Sequence, residues 1–230
     1  HSRRRPVVVN RPLAGQRERV PGGGLGRLMR PPRVEPVRPG MAAVEALADL
    51  LEGAKRPVIV AGRGGRGAGP ELRALAEQSG ALLATSAVAN GLFEGDPFSL
   101  GISGGFSSPL TAELISDADL IVGFGCALNM WTMRHGRLIA DTAQVVQVDD
   151  DESALAAHRA IDLGIHGDCA QTALAAYEEL ERRRHAASGY RTQDVRDRIA
   201  QSARWNDTPT SDASTSGRID PRVLSARLDE

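Results

Sequence analysis

The chain has 230 residues, of which 41% are apolar, and a formal net charge of −1 at pH 7. This apolar share is enough for a sizeable core, and no stretch reaches the roughly 18–20 consecutive apolar residues that a membrane-spanning helix needs. We therefore expect a globular protein with no membrane partner. Because the Arg-rich start lacks the apolar segment of a signal peptide, we expect it in the cytoplasm.

The small net charge conceals a basic first segment. Residues 1–40 contain ten arginines and two glutamates, a balance of +8, so residues 41–230 carry −9. Pro and Gly separate the arginines and no aromatic residue lies among them, which is typical of a solvated linker rather than of a nucleic-acid-binding arm. We expect no nucleic-acid partner. One strand-like run, Pro6–Val9, interrupts this segment.

Helix-like and strand-like runs alternate from residue 41 to residue 184. The helix-like runs are MAAVEALADLLEGA (41–54), PELRALAEQSG (70–80), SPLTAELISDA (108–118), NMWTMRHGRLI (129–139) and DCAQTALAAYEELERRR (168–184). The strand-like runs are VIVA (58–61), ALLATS (81–86), DLIVGFG (119–125) and AQVVQVD (143–149). Strands that are apolar throughout are covered on both faces. The pattern predicts an α/β fold, a Rossmann-like open parallel sheet with helices on both faces.

The last 46 residues are polar. An amphipathic helix-like run covers 192–205, a Thr/Ser/Asp-rich loop covers 207–216, and a second helix begins near Pro221. We expect residues 185–230 to form a linker and the start of a further domain, with 41–184 as the central domain and 1–40 as the segment before it.

A glycine-rich run follows the first strand directly. Gly62, Gly64 and Gly67 satisfy G-x-G-x-x-G between a strand and a helix, the context in which such a turn approaches a phosphate at a helix N-terminus. A nicotinamide site would also need Asp or Glu at the end of the second strand, which here ends in Thr85 and Ser86. An ordinary NAD-linked enzyme is thus disfavoured. Two interpretations stay open, a nucleotide-binding turn and a turn that only packs the helix on the sheet.

Other loops after strands carry glycines or acids, as ligand-contacting loops of open α/β sheets do. They are Gly101–Ser108, Gly123–Asn129 and the triplet Asp149, Asp150, Asp151. The triplet could accept ribose hydroxyls, or it could be a solvated strand end with a helix-capping Asp.

Residues for catalysis or for metal binding are scarce. The histidines show no metal-ligand spacing, and His135 is expected to be structural. Cys126 and Cys169 lie far apart and are expected to be buried structural thiols. We therefore assign no catalytic residue and no metal ligand.

Several ordered segments together resemble the central domain of thiamine-diphosphate-dependent enzymes. These are RPVIVAGRGG, the stretch from Gly91 to Ser108, ISDADLIVGFGCALN, VVQVDDDESAL and DLGIHGDCAQTALAAYEEL. The family includes acetolactate synthase, benzoylformate decarboxylase, pyruvate oxidase and oxalyl-CoA decarboxylase. The resemblance covers about Met41–Arg184.

The resemblance implies a nucleotide site in some members, for FAD or for ADP, and none in others. Matched positions are the loop from Gly62 through Gly64 to Gly65, with Gly67 after it, then Thr85, Ser103, Gly104, Gly105, Gly125, Arg134, Asp149 and Asp151. Two departures weigh against flavin. Gly104-Gly105 stands where flavin-binding members show Met-His, and the arginine expected soon after GCA is displaced to Arg134.

The resemblance also extends to both flanks. RRPVVVNRPLAGQ resembles the closing strand of the family's pyrimidine-binding domain, and GRIDPRVLSARLDE resembles the opening of its pyrophosphate-binding domain. The family's activating glutamate belongs to the first of these domains, and its G-D-G…N segment, which holds Mg²⁺ and diphosphate, belongs to the second. Neither feature lies in this sequence. We expect thiamine diphosphate and Mg²⁺ only in a longer parent enzyme, a homodimer or homotetramer with both flanking domains.

The functional expectation follows from this resemblance. We expect the chain to be the central-domain fragment of an acetolactate synthase-like decarboxylase or carboligase that acts on a 2-oxo acid or an acyl-CoA relative, structural in role, with a possible FAD- or ADP-type site, and inactive alone. The alternative is a stand-alone nucleotide-binding or sensing module.

Overall fold

The computed structural model describes residues 35–204, 207 and 211–229, and the predicted strand Pro6–Val9 lies outside them. Contacts divide the chain into His1–Pro36 and Val37–Glu230, and every element below belongs to the second unit. Within the described residues the helices are α1 (Met41–Gly53), α2 (Gly69–Ser79), α3 (Pro109–Ser116), α4 (Cys169–Arg182), α5 (Gln193–Ser202) and α6 (Pro221–Asp229). The strands are β1 (Pro57–Ala61), β2 (Leu82–Thr85), β3 (Ser99–Ile102), β4 (Leu120–Phe124), β5 (Gln144–Asp149) and β6 (Leu163–His166).

The strands form one sheet in the order β3-β2-β1-β4-β5-β6, and every neighbouring pair is parallel. The first strand of the sheet is therefore central, and the strand order reverses beside it. This confirms the predicted fold class, an open parallel Rossmann-like sheet.

Helices cover both faces of the sheet because alternate residues of one strand point to opposite faces. In β1, Ile59 and Ala61 pack into a core cluster with α1, α2 and α4. Val58 and Val60 pack into a second cluster with α3 and α5. Strands β1, β2 and β4 are buried along their whole length, as their continuous apolar runs predict.

Two sequence expectations about elements are corrected. Residues 129–139 do not form an α-helix, and only Arg134–Gly136 makes a short 3-10 turn. Arg134 and His135 have φ of 45° and 58°, and the Asn129 side chain accepts from the backbone N–H groups of Trp131 and Thr132 in a turn. The strand-like runs omit β3 and β6, the two edge strands of the sheet.

The segment after α4 packs on the same sheet. The Tyr190 hydroxyl donates to the Leu114 carbonyl at the end of α3, and Arg191 Nε donates to the Ala81 carbonyl before β2. Val195 and Ile199 of α5 are buried in the second cluster. Residues 185–203 thus carry the chain from one face of the sheet to the other. The predicted domain boundaries stay a prediction.

Candidate functional site

The predicted site residues follow the carboxyl ends of parallel strands, so they meet at one edge of the sheet. They form three groups, and the residues within each group are in contact with one another. The first joins the loop after β1 to Gly125, the second joins the loop after β3 to the loop after β4, and the third is the acidic end of β5.

In the first group, two loops cross at van der Waals distance. The N–H groups of Gly62 and Gly64 donate to the carbonyls of Phe124 and Gly125, at 2.9 and 3.1 Å. A Cβ on Gly62 would overlap the Gly125 carbonyl oxygen, and one on Gly64 would lie 2.9 Å from the Gly125 Cα. Gly125 has φ of 55°, which favours glycine. Loop packing is thus sufficient to explain these glycines.

The same loop retains few donors for a phosphate. The N–H groups of Gly64 and Gly65 already bond to carbonyls, Pro70 in the first turn of α2 has none, and the Glu71 carboxylate lies in that turn. The space around Gly67 is open. The exposed side chains of Arg63 and Arg66 are donors that this loop could still offer to an anion.

In the second group, side chains fasten the loop after β3 to the loop after β4. Ser103 Oγ donates to the Thr132 carbonyl at 2.6 Å, and the N–H of Gly105 donates to the Trp131 carbonyl at 2.9 Å. Arg134 Nε and Nη2 donate to the carbonyls of Gly104 and Ser107, at 2.9 and 3.0 Å. In this arrangement Arg134 acts as a clamp between loops.

Gly104 lies at the contact between these loops. Its φ is 85°, and a Cβ there would overlap the Trp131 carbonyl oxygen. Gly105 next to it has open space on the Cβ side. On the neighbouring strand, Thr85 is buried and its hydroxyl lies 3.4 Å from the Gly101 carbonyl, which it can donate to.

The acidic end of β5 forms the third group. Asp149 is half-buried and accepts from the Asp151 N–H at 3.0 Å, and Asp151 accepts from the N–H of Ser153 and so caps the short turn that follows. Burial raises the pKa of Asp149, and the nearby charges of Asp150 and Asp151 raise it further. The capping role foreseen for this triplet is thus present.

Gln147, in β5, also contacts the loops at this edge of the sheet, and the sequence analysis did not single it out. Its side chain is buried, its Nε2 donates to the carbonyls of Cys126 and Ala154, and its Oε1 accepts from the Ala156 N–H. It therefore ties the loop after β4 to the loop after β5. A lone amide inside the apolar run VVQVD was the available signal.

Metal ligands do not cluster in the part of the chain that the structure describes, where no group of three or more His, Cys, Asp or Glu side chains could hold an ion. Cys126 and Cys169 are buried free thiols, and burial raises the pKa of both, that of Cys126 to about 11. Thiols that stay protonated at neutral pH fit the expected structural role. Among the described helices, none is both long and apolar enough to cross a bilayer.

Comparison with known proteins gives a consistent set of matches. The family profile described as "Thiamine pyrophosphate enzyme, central domain" matches residues 44–176. Sulfoacetaldehyde acetyltransferase from Alcaligenes xylosoxydans xylosoxydans is 33% identical over 160 residues, which cover 67% of this chain and 26% of that protein. The acetolactate synthase large subunit from Parasynechococcus marenigrum is 29% identical over 137 residues, covering 58% of this chain and 22% of its own.

A solved structure shares the fold. It is described as a thiamin diphosphate-dependent enzyme from Mycobacterium smegmatis and aligns with a TM-score of 0.52 at 21% identity, covering 67% of this chain and 30% of that one. The chain spans about a quarter of the length of the curated relatives that it matches.

Proposed function

The chain belongs to the thiamine pyrophosphate enzyme family, whose central domain it contains, and from this membership we propose that it serves as the scaffold domain of an acetolactate synthase-like decarboxylase or carboligase. The match over residues 44–176 is the observation that carries the proposal, because it includes all six strands of the sheet. The parent enzyme would act on a 2-oxo acid or an acyl-CoA relative, as a homodimer or homotetramer.

The family implies thiamine diphosphate with Mg²⁺ in the parent enzyme. The described residues do not fit that group, since no three or more of their His, Cys, Asp or Glu side chains are placed so that they could hold Mg²⁺ together. We therefore propose that other domains of the parent hold the cofactor and that this domain contributes assembly rather than chemistry. The hydrogen bonds between its loops suit that role, because they give neighbouring domains a fixed surface at the carboxyl ends of the strands.

Two preparations test this scaffold role, the 230-residue chain and the natural full-length protein, each assayed with pyruvate, thiamine diphosphate and Mg²⁺. We expect carbon dioxide release from the full-length protein only. Turnover by the 230-residue chain above a blank without protein would overturn the proposal. A natural reading frame without flanking thiamine-binding domains would instead favour the alternative, a stand-alone nucleotide-binding or sensing module.

Binding of an adenine nucleotide at the sheet edge is a second candidate function. It is favoured by the exposed arginines Arg63 and Arg66 beside the open position Gly67, with acceptors for ribose hydroxyls at the end of β5 in Asp149 and Asp151. Because the loop's own N–H groups are largely paired, we propose an ADP-type ligand held mainly by side chains, with affinity in roughly the 0.1–1 mM range.

Calorimetric titration with ADP and with FAD tests the second candidate. We expect weak ADP binding that is lost in Arg66→Ala and in Gly67→Val. The matched control is Gly53→Ala, a change at an open glycine at the end of α1. Absence of heat with both ligands, or ADP binding that both loop variants leave unchanged, would remove this candidate without touching the scaffold role.

A further inference from the structure

A cleft on the surface lies away from the glycine loops. It has a volume of about 400 Å³ and is formed by the segment that precedes β5 and the segment that precedes β6. Its lining residues are Gly136, Ile139, Ala140, Asp141, Ala143, Val145, Arg159, Ala160, Ile161 and Asp162. We call it the Arg159 cleft. Six of the ten lining residues are apolar, although most of the exposed lining surface is polar, and Arg159 is the cation among them.

The guanidinium of Arg159 is held in place on one side and open on the other. Its Nε donates to the Leu128 carbonyl at 2.7 Å. Nη1 and Nη2 make no hydrogen bond or ion pair with the described residues, and they lie next to Gly136, where a Cβ would stand 3.5 Å from Nη2. Gly136 has φ of 92°, which favours glycine, and the lack of a side chain there leaves room beside the two nitrogens.

In this arrangement the positive charge of Arg159 is partly shielded from water, and no carboxylate among the described residues lies close enough to pair with it. Burial lowers the pKa of Arg159, and no neighbouring carboxylate offsets that effect. A partly buried guanidinium is stabilised most by a planar oxyanion that accepts two parallel N–H bonds. The two unpaired Nη nitrogens face the cleft, where a bound ligand could be such a partner.

The other charges around the cleft decide the class of anion. The lining also contains Asp141, which is exposed, and Asp162, whose Oδ2 accepts from the Val145 N–H. These two carboxylates oppose a dianion such as phosphate more than a singly charged ligand. The apolar side chains of Ile139 and Ile161 favour a ligand with a short hydrocarbon part.

We propose that the Arg159 cleft binds a small monocarboxylate, whose carboxylate pairs with Nη1 and Nη2 of Arg159 and whose apolar part lies against Ile139 and Ile161. The site is separate from the sheet edge, and the proposal does not depend on the function of that edge.

The test is a titration of the ¹⁵N-labelled 230-residue chain with sodium isobutyrate at constant ionic strength. The measurement is the NMR chemical shift of each backbone amide. Parallel titrations use sodium phosphate and sodium chloride. We expect saturable shifts at Gly136 and Ile161 with isobutyrate, and at least tenfold weaker binding in Arg159→Met. Arg159→Lys should be intermediate, because it keeps the charge but loses the planar pair of donors.

Two further variants keep the result interpretable. Ala143→Asp leaves Arg159 intact and adds a carboxylate to the cleft wall, so it should also abolish binding, whereas Arg137→Met, an exposed arginine of the same loop, should not alter it. The proposal is overturned if isobutyrate gives no saturable shift, if chloride or phosphate binds as well, or if the Arg137 variant weakens binding equally.

Discussion

At the scale of single residues, glycines of this protein differ in what they do even when they are adjacent. Gly104 combines a positive φ with a Cβ position that the Trp131 carbonyl already fills, and Gly105 has neither constraint. The motif G-G therefore contains one structural glycine and one replaceable glycine.

We expect Gly104→Ala to lower the free energy of unfolding by about 3 kcal/mol, since left-handed backbone costs an alanine 1–2 kcal/mol and overpacking adds a similar amount. Gly105→Ala should change it by less than about 0.5 kcal/mol. Urea denaturation of both variants measures the difference. Equal effects of the two substitutions would contradict the assigned contact with Trp131.

An acid–base network joins α1 to α4. Glu179 is buried and accepts from Arg182 and Arg183, and Arg183 also donates to Asp49 and Glu52 of α1. The two arginines lower the pKa of Glu179 to about 2. A carboxylate with a depressed pKa stabilises the fold above its ordinary pKa of about 4.3, and that contribution is lost as pH falls towards the folded-state value.

We therefore expect Glu179→Gln to be less stable than the wild type at pH 7 and the gap to narrow as pH falls from about 4.3 towards about 2. Glu178→Gln, at the exposed neighbouring position, is the control and should show no such gap. Urea denaturation at a series of pH values checks the sign. A gap that widened on acidification would contradict it.

At the scale of elements, the segment after α4 stabilises the face formed by α3. Ile199 of α5 is 7% exposed and belongs to the core cluster that includes Leu110 and Leu114 of α3. We expect Ile199→Ala to lower the free energy of unfolding by about 2 kcal/mol or more, because it leaves a cavity in that core. Arg196→Ala, exposed on the same helix, should have little effect when both are compared by thermal denaturation.

Position in the sheet should also set local stability. The backbone of β1 is hydrogen-bonded on both sides by β2 and β4, whereas β3 and β6 are edges. Amide exchange of the native chain should therefore be slowest in β1 and β4 and measurably faster in β3 and β6. Exchange in β6 as slow as in β1 would argue for a partner that covers this edge.

The sequence was informative where burial is complete and less so where it is partial. The continuous apolar runs of β1 and β4 identify central strands, but β3 and β6 each have one fully buried residue, Leu100 and Ile165, and so show no clear pattern. The glycine spacing predicted a turn between a strand and a helix, and the glycine run does lie between β1 and α2. It could not separate phosphate binding from packing, because the contact of Gly62 with Gly125 joins residues that are distant in the chain.

At the scale of the whole molecule, the two core clusters share the same strands. Each takes alternate residues of β1, β2 and β4, so neither face can lose its helices without exposing the sheet that supports the other. We expect one cooperative unfolding transition for Val37–Glu230, with calorimetric and van't Hoff enthalpies that agree. Two separable transitions in a calorimetric scan would show that the faces unfold independently.

The central place of the first strand has a consequence during biosynthesis. On the ribosome β1 emerges before either neighbour, and residues 62–119 must be translated before β4 can cover its second edge. At 5–20 residues per second this takes about 3 to 12 s, during which an apolar strand has at least one edge without its partner. The nascent chain is thus open to mispairing, and in need of a chaperone, in the seconds between the synthesis of β1 and that of β4.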